Sequence, residues 1–314
     1  MVEFPAVIDS SMMAQFKACP QKGFRASIEH WKYKGGENIH LHSGGAYAVG
    51  LERTRRSFYE AGNDADTALA HGMRALIEAW GDYGTGEGET KTLDRMLGAL
   101  EFYFDKWPLE RTGPSARPHL LPGGKLGIEF SFAEPIDFAH PVTGDPIIYA
   151  GRCDMIADFA EGIFIEDDKT TSSLGSSWSK KWTLRSQFMG YCWAARRNGI
   201  DVKGCLVRGI SILKTKYDCA EALVFFPDWQ LDRWYSQLLL NLKKMAAMWR
   251  NMPLLGADAW DYNLDESCVH YGGCQFLQIC SSEKPMDWLP MYFERRRWDP
   301  LTRTETLLEE PVEA

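Results

Sequence analysis

The sequence predicts a mixed α/β fold: a central β-sheet flanked by helices, with an N-terminal helical region and a C-terminal cysteine-rich segment. Three patterns predict it. Apolar residues recur at helical spacing through the first third of the chain. From about residue 124, apolar and polar residues alternate as they do in strands. Helical stretches then interrupt those strands. The boundaries divide the chain into a helical region 1–123, a core 124–252 and a cysteine-rich segment with its tail 253–314, read together as one integrated domain. At 314 residues and 45% hydrophobic composition, the chain can bury a sizeable core without staples.

Each element follows from local signals. Ser10 or Ser11 is positioned to cap a short helix, MMAQFKA, which stops at Cys19-Pro20. A loop rich in Gly and His (KGGENIHLHSGG) precedes a long amphipathic pattern, AYAVGLERTRRSFYEAG, with Leu51, Phe58 and Tyr59 at helical spacing. Helices are expected at about 65–80 and 92–106, with the turn segment GDYGTGEGET between them. LGIEFSFAEPI then alternates like a strand, and HPVTGDP reads as a hairpin connection. Two more strands follow in IIYAGRCDMIADFA and GIFIEDDKT, then a helix at about 180–198. Strands CLVRGISILKT and ALVFFP precede a helix at about 228–250. After Pro253 the chain is expected to be loop-like, ending in a frayed acidic tail, ETLLEEPVEA.

Composition and missing motifs exclude several classes. Mean hydropathy is −0.31, and no stretch of about 20 mostly apolar residues exists to cross a membrane. The opening MVEFPAVIDSSMMAQF has no basic region followed by an apolar core, so no secretory signal is expected. With eight cysteines, this points to a reducing cytoplasmic compartment. A net charge of −8 argues against nonspecific coating of nucleic acid, yet permits a local basic groove beside an acidic metal site. There is no GxxxxGK[ST] run for an ATP-driven motor, no GxSxG elbow and no Rossmann GxGxxG. His40 and His42 lack further ligands nearby in sequence and read as incidental.

The most informative residues lie between 151 and 169. Asp154 falls within one expected strand, and Asp167 and Lys169 share a face of the next. Antiparallel pairing would bring the two aspartates close together. Such a pair is tolerable when a divalent cation neutralises it, and hard oxygen ligands suit Mg²⁺ or Mn²⁺. A lysine beside that cation can position a water or stabilise charge on a phosphate. Strand-end acids and lysines also occur on solvated rims.

Gly151-Arg152-Cys153-Asp154, then Asp167-Asp168-Lys169 after 12 intervening residues, then Gln187-Phe188-Met189-Gly190-Tyr191 resemble the GxxD, (D/E)xK and QxxxY motifs of RecB-like nucleases in the PD-(D/E)XK superfamily. Glu129 is similar to a glutamate that often precedes GxxD there. The resemblance implies a restriction-endonuclease-like core and metal-dependent DNA cleavage, most often exonucleolytic. It implies Asp154 and Asp167 as metal ligands, with Glu129 as a possible addition, and Lys169 as the catalytic lysine. It also implies that Gln187 and Tyr191 support the site or contact DNA. One departure matters: the family often has GxxxH in an early helix, and Ala48 stands where its histidine would be. Glu52, four residues on, either supplies an oxygen ligand instead or pairs with a nearby arginine.

Cys268, Cys274 and Cys280 form a C-x5-C-x5-C array beside Gly272-Gly273, and Cys19 stands far off near the N-terminus. By spacing alone they are either ligands of a cluster or buried thiols. A subset of RecB-like nucleases, the AddB-type helicase–nucleases and CRISPR-associated exonucleases among them, joins one early cysteine to three late ones through an iron–sulfur cluster. "FKACP" and "CVHYGGCQFLQIC" resemble those two ends, which implies a structural [4Fe–4S] cluster. Cys153, Cys192, Cys205 and Cys219 read as packing residues.

Between Lys169 and Ile200 lie six basic residues (Lys169, Lys180, Lys181, Arg185, Arg196, Arg197) and no acidic one. Trp178 and Trp182 are interleaved with them, as base-stacking indoles or as core. Arg295, Arg296 and Arg297 are a second basic run. The expected partner is DNA with linear or single-stranded ends. A recombinase, annealing protein or helicase in a bacterial or phage-infected cell would complete an end-processing pathway, by family analogy. Two other readings stay open: a catalytically inactive DNA-binding or assembly subunit, and a structural iron–sulfur protein that docks a protein partner.

Overall fold

The computed structural model describes residues 2–36, 38–86, 88–110, 115–269 and 273–308. Strand β1 (Val7–Ile8) leads into α1 (Ser10–Ala18). The cap of α1 is Asp9, whose carboxylate accepts the Met12 N–H at 2.7 Å, one residue earlier than the serines expected. Helix α2 (Pro20–Gly23) restarts at once because proline suits a first helical position, and β2 (Trp31–Tyr33) follows.

Helix α3 (Ile39–Tyr59) begins inside the stretch expected to be a Gly- and His-rich loop. Asn38 caps it by accepting the His40 N–H at 2.8 Å, which nucleates the turn despite Gly44 and Gly45. His42 therefore lies on a helix, stacked on Tyr83 with centroids 3.9 Å apart. Helices α4 (Ala65–Trp80) and α5 (Leu93–Lys106) start at the side-chain caps Asp64 and Thr92. Close approach of α3 and α4 needs Gly72, where a Cβ would lie 2.7 Å from the Gly50 carbonyl oxygen. Tyr47, Leu51, Leu76, Trp80, Met96, Leu100 and Tyr103 then form a core with two isoleucines, Ile210 and Ile212.

Strand β3 (Arg117–Pro118) is followed by the long strands β4 (Ile128–Ala139) and β5 (Pro146–Phe159), joined by the expected hairpin, and β6 (Gly162–Thr171). Helix α6 (Ser186–Arg197) starts later than expected, because a separate short turn occupies Lys180–Trp182. Strands β7 (Val202–Ile212) and β8 (Tyr217–Phe225) and helix α7 (Asp228–Leu255) complete the core elements. The sheet order is β1-β5-β6-β7-β8, with β3 and β4 also on β5. Strand β6 pairs antiparallel with β5 and parallel with β7, so α6 is the crossover that a parallel pair requires. The fold is the expected mixed α/β sheet with flanking helices.

The segment after Pro253 is more ordered than expected. It holds α8 (Glu266–Val269), α9 (Leu277–Cys280), α10 (Pro285–Tyr292), β9 (Phe293–Asp299) and β10 (Thr304–Leu307). Strands β10, β9 and β2 form a second sheet. Trp31, Phe276, Ile279, Leu289 and Phe293 supply its core, an apolar set too dispersed in sequence to show periodicity. Glu305, Thr306 and Leu307 are therefore paired rather than frayed, while residues 309–314, Gly272 and residue 87 of the turn segment lie outside the described residues. The chain forms two compact units: residues 1–36, 132–151 and 233–314, and residues 37–131 and 152–232.

Candidate active site

The second unit gathers the acidic cluster. Strand alternation on β6 sets Asp167 and Lys169 on one face and Glu166, Asp168 and Thr170 on the other. Met155 of β5 pairs with Glu166 of β6, which brings the preceding residue, Asp154, beside the acidic run. The Asp154 carboxylate accepts the Asp168 backbone N–H at 2.9 Å. Lys169 forms an ion pair with Asp167. The lysine side chain is 31% exposed, whereas Asp167 is 2% exposed.

Electrostatics follow from this burial. Desolvation pushes the Asp167 carboxyl up to about 7; Lys169 opposes the shift and Asp154 adds to it. Asp154 is raised by burial too, with Lys169 lowering it and Asp168 raising it. Burial alone would lower the Lys169 ammonium, but Asp167 and Asp154 outweigh it and raise the group above its ordinary value. The two carboxylates thus favour the charged form of Lys169, which pairs with Asp167.

On the opposite face lies a buried network absent from the sequence reading. Arg55 of α3 donates from one nitrogen to Glu166 Oε1 (2.5 Å), Asp168 Oδ2 (2.8 Å) and Tyr103 OH (2.8 Å). Arg208 of β7 reaches Glu166 Oε2 at 3.2 Å and Glu221 at 3.1 Å. The available signal was Arg55 itself, which stands four residues after Leu51 and eight after Tyr47 on the apolar stripe of α3.

Other expected site residues separate into those brought to the cluster and those engaged elsewhere. Gln187 Nε2 donates to Tyr191 OH at 2.8 Å, so this pair does share a helix face, and Phe188 between them lies 5.9 Å below the Lys169 ammonium. Glu129, whose backbone is left-handed at φ 56°, pairs with Arg152 at 2.5 Å. Glu52 pairs with Arg56 at 2.8 Å, the second of its two expected fates. Trp178 and Trp182 are only 4% and 6% exposed, which corrects the expectation of base-stacking indoles. Gly209 makes room for Trp178, since a Cβ there would sit 2.4 Å from the indole, and Trp182 packs on Phe188. Lys180, Lys181 and Arg185 are exposed. Arg196 is not part of a free basic face; it binds the Val202 and Phe226 carbonyls and Asp228.

The cluster cysteines all fall in the first unit. Burial pushes the Cys280 thiol up to about 11; Cys274 and Cys19 add to the shift, Arg25 opposes it, and Cys268 adds a smaller share. The remote Cys19 is therefore an electrostatic neighbour of the late cysteines. Backbone contacts hold the two ends together: Gln21 N–H donates to the Asp261 carbonyl (3.0 Å), Asn263 N–H to Cys19 Sγ (3.4 Å), and Phe24 stacks on Trp260. Cys274 N–H donates to the Cys268 carbonyl at 2.8 Å.

Among the described residues, no group of three or more His, Cys, Asp or Glu side chains is arranged so that it could hold a metal ion. Among them, too, no helix is long and apolar enough to cross a membrane. No protein-family model matches the chain, and no curated protein does. Among solved structures, the crystal structure of SSO0001 is similar at 12% identity and a TM-score of 0.26, over 75% of this chain and 85% of that one. That likeness is too slight to bear on fold or function.

Proposed function

We propose that the chain is a RecB-like, metal-dependent deoxyribonuclease of the PD-(D/E)XK type, acting on DNA ends. One observation carries the reading: the aspartates and lysine of two separate motifs, Asp154 with Asp167 and Lys169, converge on the adjacent strands β5 and β6. In chemistry, the donor set fits a hard divalent cation. The Asp154 and Asp167 carboxylates repel each other across adjacent strands, and the buried Asp167 Oδ2 has no hydrogen-bond partner beyond its ion pair with Lys169.

Asp154 and Asp167 would hold Mg²⁺ or Mn²⁺. When bound, that ion supplies Lewis acidity to a water and neutralises phosphate charge. Lys169, kept protonated by its two aspartates, donates to the water or to a non-bridging phosphate oxygen and steadies the charge that develops there. Gln187 and Tyr191 hold each other and the helix face beside the lysine. Lys180, Lys181 and Arg185 supply exposed cations for the DNA backbone. Cys19, Cys268, Cys274 and Cys280 would hold a structural [4Fe–4S] cluster that joins the early and late segments of their unit, in a reducing cytoplasm.

The test compares linear with closed-circular DNA in Mn²⁺, using anaerobically purified protein. Loss of linear DNA that stops on chelation and in Asp154→Ala supports the reading. Inert, well-folded wild type across metals and substrates would contradict it. A second reading has its own observation: Glu52, the candidate substitute for the histidine missing at Ala48, pairs with Arg56, and among the described residues no group of three or more His, Cys, Asp or Glu side chains could hold a metal ion. This favours a catalytically inactive DNA-binding or assembly subunit, which would bind DNA ends in a salt-dependent way without cleaving them.

A further inference from the structure

The buried network behind β6 joins two guanidinium groups to two acids. Glu166 is already neutralised by Arg208, at 3.2 Å, on its own Oε2. Arg55 adds a second guanidinium to the same carboxylate and reaches beyond it to Asp168. Of these two acids, Asp168 has Arg55 as its one guanidinium partner among the described residues. Buried ion pairs of this kind contribute little net stability compared with apolar packing, so the reach to Asp168 asks for another explanation.

Asp168 supplies one. Its backbone N–H holds the Asp154 carboxylate at 2.9 Å, and its two sequence neighbours include Asp167, with Lys169 the next residue on. Residues on one face of a strand fix the backbone that carries the other face. Arg55 grips Glu166 and Asp168, the residues on either side of Asp167, and Tyr103 of α5 grips both Arg55 and Glu166. Only 3% of Arg55 is exposed, so water does not compete for these bonds. We infer that Arg55 is a positioning residue. Through Asp168 it fixes the spacing of Asp154 from Asp167, and through Glu166 and Asp168 it fixes the direction in which Asp167 and Lys169 leave β6. It touches neither substrate nor metal. The inference rests on the nuclease reading and adds to it a residue outside the family's motifs.

The experiment uses the full chain with Arg55→Lys and Arg55→Met. Single-turnover cleavage, DNA affinity, half-saturating Mn²⁺ and melting temperature are measured for each. Arg55→Lys keeps the charge but loses the planar fork. Its cleavage rate is expected to fall about 10- to 100-fold and its half-saturating Mn²⁺ to rise by a similar factor, the range for outer partners of metal ligands. DNA affinity should change less than about twofold, since Arg55 makes no surface for phosphates. Arg55→Met should be worse in rate and metal dependence than Arg55→Lys.

A merely structural role would lower the melting temperature and the active fraction, yet leave the Mn²⁺ midpoint of the folded protein where it was. That result, or wild-type kinetics in both variants, overturns the inference. If both arginine variants fail to fold, Asp168→Asn keeps the backbone N–H and removes the ion pair. A raised Mn²⁺ midpoint in that protein supports the inference, and an unchanged one overturns it. Failure of the nuclease reading looks different: wild type itself then neither binds Mn²⁺ nor cleaves DNA, and the positioning role falls with it.

Discussion

The two faces of β6 treat their acids in opposite ways. Behind the strand, Glu166 and Asp168 meet two guanidinium groups and a tyrosine hydroxyl, so nearly every charge is answered. In front, Asp167 has one ammonium, shares its surroundings with Asp154, and has its carboxyl pushed up to about 7. Adjacent residues of one strand thus occupy a locked face and an under-neutralised face. The first kind of arrangement builds a scaffold. The second leaves charge for a cation or a substrate to complete, which is where strained and costly groups are retained in functional proteins.

Substitutions on each face should therefore behave differently. Glu166→Ala leaves two arginines facing each other in a buried site and should cost about 3–5 kcal/mol of stability, measured by denaturant unfolding. A cost under about 1 kcal/mol would show that the locked face is not locked. Asp167→Asn should do the reverse: cleavage falls by about 10²-fold or more, while stability holds within about 1 kcal/mol or rises. A parallel fall in melting temperature would make Asp167 part of the scaffold. Weaker by design is Tyr191→Phe, which removes the acceptor of the 2.8 Å bond from Gln187 and should cost about 1 kcal/mol. A loss several times larger would place that pair in the scaffold instead.

The smallest effect tests the same contrast away from the strand. His30, in a left-handed backbone at φ 67°, is pushed down to about 4 by burial and by Arg297 and Arg295. Its fold favours the neutral ring. Stability from this group is therefore full above the unfolded value of about 6.5 and is lost as pH falls from there toward 4. Asn tolerates the left-handed backbone and does not titrate. Melting curves of His30→Asn should lose part of the wild-type decline in that window, and an unchanged decline would remove His30 from the account.

Much of the sheet was legible because its strands alternate. Asp154, Asp167 and Lys169 could be placed on adjacent strands from period-two spacing alone, and Gln187 with Tyr191 on one helix face from a spacing of four. Legibility ended where contacts are long in sequence. Arg55 meets Glu166 across 111 positions, so nothing local announces the pair. The tryptophans misled for a related reason: Trp178, in a turn, occupies space left by Gly209 on β7, and an indole flanked by lysines reads the same whether it faces base or core. The start of α3 was hidden by Gly44 and Gly45, whose weak helix propensity is overridden by the Asn38 cap and by packing of the rest of the helix. Beyond Pro253, the short elements carry too few residues each for a period to show.

The most direct test of the central claim is single-turnover cleavage of end-labelled linear DNA in Mn²⁺ by wild type and Lys169→Ala, with folding checked in parallel. The account predicts cleavage by wild type and a loss of about 10²-fold or more in the variant, at unchanged DNA affinity. Equal rates in the two proteins would contradict it and move the chemistry away from β6.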